Sequence, residues 1–190
     1  MTNKTFNLIV NGVGGQGVIT LLILIDQAAM NEGYDVRSSE LHGLSQRGGS
    51  VETHIRFGKK VNSPLIPDGK ADLIISLETL EALRETGKAG KQTKFLVNDY
   101  SLPFLGSSPA EEIKKQLSLI KNELYIIPAS ADCKEKLHNE IVCTLYSLGY
   151  AVTKNLIPLK KESVLKAIDQ MVPEKYKELN TKAFNLGHDN

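Results

Sequence analysis

Apolar and polar positions along the chain follow a repeating order: a short apolar run, a polar or glycine-marked break, then a longer segment with helical spacing. Phe6–Val10 reads as a strand ending abruptly in Asn11-Gly12-Val13-Gly14-Gly15-Gln16-Gly17. Val18–Met30, apolar on nearly every face, reads as a helix buried on several sides and stopped at Gly33. Tyr34–Glu40 reads as a second strand, followed by a polar, glycine-rich segment, 41–50. Val51–Gly58 alternates strictly, with Val51, Thr53, Ile55 and Phe57 on one side. Period two predicts one buried and one wet face, so this strand is expected to run antiparallel or near an edge, unlike the doubly buried strands around it. His54 falls on the expected wet face.

Past a loop at Asn62–Pro67 the strand–helix rhythm returns. Asp72–Leu77 is a predicted strand and Glu78–Thr86 a helix ending at Gly87; Phe95–Asn98 and Leu124–Pro128 are further strands. Between those two, Ser108-Pro109-Ala110-Glu111 has the form of a capping box with proline in the first turn, ahead of an apolar stripe at Ile113, Leu117 and Ile120. Ala131–Leu148 is a predicted long helix stopped by Gly149, and the tail holds amphipathic segments at Lys161–Met171 and Glu174–Ala183. The expectation is an α/β chain, one domain over 1–190: a three-layer Rossmann-like sheet, mostly parallel with an antiparallel strand, and a helical C-terminal tail.

Composition narrows the function. With 23 Lys+Arg against 22 Asp+Glu the net charge is +1, which argues against a nucleic-acid partner. The longest apolar candidate, Val18–Ile25, is far short of the ~20 residues of a membrane span. The N-terminus leads straight into a strand pattern, so a soluble, cytoplasmic chain is expected. Two cysteines, Cys133 and Cys143, are too few for a four-cysteine iron–sulfur or zinc site. Placed in one helix they stand about 15 Å apart in rise and cannot bridge. Any electron-carrying centre must then come from a partner.

Two loops carry candidate chemistry. Gly12-x-Gly14-x-x-Gly17 matches the dinucleotide fingerprint between a strand and a helix, and Glu40 lies near where a ribose-binding carboxylate would sit, so NAD(P) or FAD binding stays open. A tight turn under the first helix is the other reading of this loop, which leaves the Gln16 amide free for recognition. In the second loop, Arg47 is the only charged residue between Glu40 and Glu52. Beside Gly48 and Gly49 it suits a carboxylate or phosphate, or else ties the loop in place. Both loops follow strands at the same end of the sheet, where α/β ligand sites gather. His42 has no nucleophile to activate, and no histidine or cysteine pair has metal-ligand spacing.

The combination Asn11-Gly12-Val13-Gly14-Gly15-Gln16-Gly17-Val18 with Ser39-Glu40-Leu41-His42-Gly43-Leu44-Ser45-Gln46-Arg47-Gly48-Gly49-Ser50-Val51 resembles the gamma-type domain of 2-oxoacid:ferredoxin oxidoreductases. The His-Gly-x-Ser-Gln-Arg-Gly-Gly form and the tail Val172-Pro173-Glu174-Lys175-Tyr176-x-x-Leu179-Asn180-x-Lys182-Ala183-Phe184 are similar to the small (beta) subunits of the indolepyruvate branch. The resemblance implies a reaction in which an aryl 2-oxoacid, coenzyme A and oxidised ferredoxin give an aryl-acyl-CoA, CO2 and reduced ferredoxin. It places thiamine diphosphate and the iron–sulfur clusters on a large catalytic subunit, in keeping with the few cysteines here and with the lack of a Gly-Asp-Gly thiamine motif (Pro67-Asp68-Gly69-Lys70 is a turn). By position it assigns Gly14, Gly15, Gln16, Gly17, Ser45, Gln46, Arg47 and Gly48 to the substrate and coenzyme A entrance, with no catalytic residue or metal ligand on this chain. Arg47 is left to hold a coenzyme A phosphate or the substrate carboxylate.

Overall fold

The computed structural model describes residues 4–43, 47–103 and 108–190. Six strands form one sheet: β1 (Phe6–Val13), β2 (Asp35–His42), β3 (Ser50–Gly58), β4 (Ala71–Ser76), β5 (Ala89–Asn98) and β6 (Glu123–Ile127), in the order β2-β3-β1-β4-β5-β6. β3 runs antiparallel to both neighbours, with Gly12 opposite Val51 and Glu40 opposite Thr53; the remaining pairs are parallel. The sheet is therefore mostly parallel with one antiparallel strand, as the alternation over 51–58 predicts. That strand is interior, however, and β2 takes the edge, where most of its residues are partly or fully exposed.

The layers follow from strand alternation. Leu8, Val10, Leu73, Ile75 and Leu96 point to the face covered by α1 (Val18–Asn31), α4 (Ala129–Leu137), α5 (Cys143–Thr153), α6 (Lys161–Met171) and α7 (Glu174–His188). Ile9, Ile74, Phe95 and Val97 face α2 (Thr79–Arg84) and α3 (Ala110–Ser118). Helix α1 inserts Leu21, Leu24, Ile25, Ala28 and Ala29, all at most 1% exposed; each of its large side chains adds roughly 1.5–3 kcal/mol on burial. The apolar stripe of α3 packs as its spacing predicts, but Ser108 makes no cap. The helix starts one residue later, with Pro109 as its N-cap and its carbonyl taking the first amides.

Further sequence expectations need correction. The outward face of β3 is polar but not wet. His54 is 2% exposed, and Arg56 donates to Asn7 Oδ1 at 2.8 Å and to the Ser63 carbonyl at 2.8 Å, so the 59–67 loop closes over this face. The long helix expected over 131–148 is two. His138 turns left-handed (φ 53°) and ends α4, and Asn139 Oδ1 accepts the Ile141 N–H at 3.0 Å to start a 3-10 turn, Glu140–Val142, that leads into α5. Cys133 and Cys143 thus sit in different helices, both buried and unbridged. Gly149 does not stop a helix; it lies inside α5, where the α7 backbone passes too close for a side chain. Helix α7 runs on to His188, whose carbonyl accepts the Thr153 hydroxyl at 2.7 Å.

The edge strand is pinned to α1 by Ser38 Oγ, which donates to Asp26 Oδ1 at 2.6 Å. Burial outweighs that bond and raises the Asp26 carboxyl to about 6. Since the folded chain binds this proton more tightly than the unfolded one, stability falls as pH rises from about 4 to about 6. We expect Asp26→Asn, which keeps an oxygen for Ser38, to remove that slope and stabilise the chain at neutral pH by about 1–2 kcal/mol after discounting for partial solvation. Urea unfolding at the two ends of the window measures it.

Candidate functional site

The glycine loop leaves β1 at Val13 and turns at once, the Gln16 N–H donating to the Val13 carbonyl at 3.0 Å. Gly15 (φ 103°) and Gly17 (φ 87°) adopt the left-handed region that other L-residues avoid. At Gly15 a Cβ would meet nothing within 4 Å, so the backbone there opens onto free space; at Gly17 it would come within 3.2 Å of Thr144 Cγ2. Gly17 caps α1 without a side-chain acceptor, and the first turn carries no acidic residue, which favours an anion at those amides.

Gln16 has a structural task the sequence did not reveal. Its Oε1 accepts the Val13 N–H at 2.7 Å and its Nε2 donates to the Leu77 carbonyl at 3.3 Å, so the amide braces the loop from inside.

The second loop is bound directly to the first. Gly14 N–H donates to the Gly49 carbonyl at 2.8 Å, and Gly48 N–H donates to the Gly14 carbonyl at 3.3 Å. This stitch sets Arg47 and Gly48, both exposed, beside Gly14 and Gly15. Ser45 and Gln46 lie outside the described residues. The antiparallel course of β3 makes the contact possible, because it starts where β1 ends.

Cavities flank the stitch. One of about 280 Å³ lies between Gly14, Gly15 and Gly48 and the residues Tyr100, Ser130 and Cys143. Another, of about 500 Å³, reaches from Gly14 and Gly17 to Glu40 and His42. A groove of about 590 Å³ begins at Gly17 and Thr20 and continues over apolar Ile23, Met171, Tyr176 and Leu179, so the C-terminal motif singled out in the sequence lines it. Tyr100, Ser130 and Cys143 carry no sequence signal; chain folding alone brings them here. Burial raises the thiols of Cys143 and Cys133, the latter to about 12, so neither is a ready thiolate donor. Among the described residues no three His, Cys, Asp or Glu side chains are grouped to hold a metal ion.

The same topology works against a dinucleotide. The fingerprint needs the acidic strand end next to the glycine strand, whereas β3 separates β2 from β1 and sets Glu40 two strand spacings, roughly 10 Å, from it.

Comparison with known proteins decides the family. The Pyruvate ferredoxin/flavodoxin oxidoreductase profile matches residues 7–190. The chain belongs to the pyruvate ferredoxin/flavodoxin oxidoreductase family. Within it, the chain falls with the small subunits of the indolepyruvate branch and is an oxidoreductase subunit. It is 36% identical to indolepyruvate oxidoreductase subunit IorB of Pyrococcus horikoshii over 97% of this chain and 95% of that one. It is 35% identical to the Archaeoglobus fulgidus IorB over 96% and 93%. The fold is that of the gamma subunit of a keto/oxoacid ferredoxin oxidoreductase from Geobacter sulfurreducens (TM-score 0.73, 22% identity, 97% of this chain and 96% of that one). It also matches 31% of a longer chain, the 2-oxoglutarate:ferredoxin oxidoreductase of Magnetococcus marinus, with TM-score 0.76, 20% identity and 99% of this chain covered. In that protein the same fold is one part of a larger polypeptide. No helix among the described residues is long and apolar enough to cross a membrane.

Proposed function

We propose that the chain is the small subunit of an indolepyruvate or arylpyruvate:ferredoxin oxidoreductase that forms an acyl-CoA, CO2 and reduced ferredoxin with a large subunit. Thiamine diphosphate and the iron–sulfur clusters reside on that partner, which also passes electrons to ferredoxin. This chain acts as one domain whose paired loops line the entrance for coenzyme A and the 2-oxoacid. The observation that carries the site reading is the Gly14–Gly49 and Gly48–Gly14 stitch, which gathers a glycine cradle, the uncapped start of α1 and a guanidinium at one end of the sheet. Backbone amides at positive-φ glycines, with open space at Gly15, fit a phosphate approaching the main chain. Arg47 adds a charge that can grip phosphate or carboxylate with two parallel N–H bonds. The chain binds and orients; the thiamine supplies the decarboxylation chemistry on the partner.

Two experiments test this. Affinity purification from the native cell should bring down a large, brown subunit and arylpyruvate activity absent from the small chain alone; a lone, colourless chain counts against the reading. In the assembled enzyme Arg47→Ala should raise one Michaelis constant about tenfold with kcat nearly unchanged, the loss of one charge-assisted contact. A rise for coenzyme A assigns Arg47 to its phosphate, and a rise for the 2-oxoacid assigns it to the carboxylate. If neither moves, Arg47 only shapes its loop.

A further inference from the structure

The cavity of about 280 Å³ beside the two glycine loops has a third wall, the segment 99–102 that follows β5. Its main chain is held almost residue by residue. The Asp99 N–H donates to the Ile127 carbonyl at 2.8 Å, and the Tyr100 N–H donates to the Asn98 carbonyl at 2.7 Å. The Tyr100 carbonyl accepts the Thr79 N–H at 2.9 Å, and the Leu102 N–H donates to Glu78 Oε1 at 3.1 Å. The hydroxyls of Thr79 and Ser101 are hydrogen-bonded at 2.6 Å. Glu78 and Thr79 are 3% and 0% exposed, so the anchors of this wall lie out of solvent.

The same start of α2 holds the other two walls. Asn11, just before the glycine loop, donates through Nδ2 to the Glu81 carbonyl at 2.8 Å. Ser50, at the end of the Arg47 loop, donates through Oγ to Glu81 Oε2 at 2.5 Å. Glu78 Oε2 accepts the Glu81 N–H at 2.9 Å, so residues 78–81 form one block to which all three walls are bonded. Walls tied to one support hold their lining groups in place before a ligand arrives.

Two polar side chains around the cavity are committed to that framework. Ser130 Oγ accepts from Asn98 Nδ2 at 2.8 Å, and both ends of the Gln16 amide are taken up under the glycine loop. Tyr100 differs: it is partly exposed, and its hydroxyl makes no hydrogen bond among the described residues. Burial, with Glu140 and Cys143 of the same cavity beside it, pushes the phenol above its ordinary value, so it keeps its proton and donates. Among the described residues the lining has no lysine or arginine, and its one carboxylate is Glu140. An anion gains nothing there. A neutral carbonyl set between apolar Val13, Leu102 and Ile141 matches a lone O–H donor.

We propose that Tyr100 is a ligand-binding residue whose hydroxyl donates to an uncharged carbonyl oxygen of the bound reactant, while Arg47 and the glycine amides take the anionic end. This rests on the reading of the paired loops as the entrance for coenzyme A and the 2-oxoacid. Both reactants carry such a carbonyl, the first in the amides of its arm and the second beside its carboxylate.

Tyr100→Phe in the assembled enzyme removes the hydroxyl alone. One Michaelis constant should rise roughly three- to tenfold with kcat nearly unchanged, the loss of one neutral hydrogen bond. The urea midpoint should stay where it is, because the hydroxyl has no partner in the folded chain to lose. A rise for coenzyme A seats its amide arm against Tyr100, and a rise for the 2-oxoacid seats its keto group there. Both constants staying within about twofold of the unaltered enzyme overturns the assignment. A lowered midpoint overturns it too, since the hydroxyl would then be a structural group. Arg47→Ala measured alongside separates the two ideas: a response at Arg47 with none at Tyr100 removes Tyr100 only, and silence at both removes the site reading with it.

Discussion

Gly187→Ala is expected to lower the free energy of unfolding by about 3 kcal/mol, and Gly149→Ala by a similar amount, with urea denaturation as the measurement. An exposed helical glycine changed to alanine would instead gain about 1 kcal/mol. The sign reverses because helices α5 and α7 cross backbone to backbone. A Cβ on Gly149 would fall closer than 3.0 Å to the Phe184 carbonyl, and one on Gly187 equally close to the Tyr146 carbonyl. Main-chain atoms cannot rotate away as a side chain would, so the helices must part, at the upper end of overpacking costs or beyond. The double variant should lose less than the sum, since one separation relieves both clashes. A neutral or stabilising result for either single change would show that the crossing is looser than described.

Gln16→Ala should reduce kcat/KM of the assembled enzyme by about 10- to 100-fold and unfolding free energy by about 2 kcal/mol. The amide is the strut under the glycine loop, and its loss strands the Val13 N–H and empties the space against Gly12. An orphaned buried donor costs about 1–3 kcal/mol, and a loop displaced by about 1 Å is enough to misplace a bound reactant. Gln16→Glu, which keeps the acceptor for Val13 but not the donor to Leu77, should fall between the two. Steady-state kinetics beside urea denaturation separate the effects: stability lost with turnover intact would remove this loop from the site.

Much of the architecture was legible because it rests on local pattern. The apolar run of α1, the alternation of 51–58 and the amphipathic spacing at 161–171 each fix an element without help from elsewhere. Period two also announced the antiparallel strand, but it could not say that a loop would cover the polar face, so His54 looked solvated. Gly149 misled because a glycine required by a neighbouring helix reads the same, along the chain, as one that ends a helix. The His138–Asn139 break was hidden for the opposite reason: neither residue is the glycine or proline that usually marks a helix end, and the left-handed turn at His138 shows only in the backbone. For the site, glycines and a lone arginine flagged both loops. The role of Gln16 depends on Leu77, sixty-one residues away, which no spacing rule reaches.

Strand β2 closes one side of the sheet with no further strand beyond it among the described residues. A bare rim of main-chain donors and acceptors invites a second chain to extend the ladder. Here it carries Asp35 and Arg37 on one face and Glu40 and His42 on the other, so an incoming strand would have to desolvate polar groups on both faces. That cost works against a second copy extending the ladder through this edge.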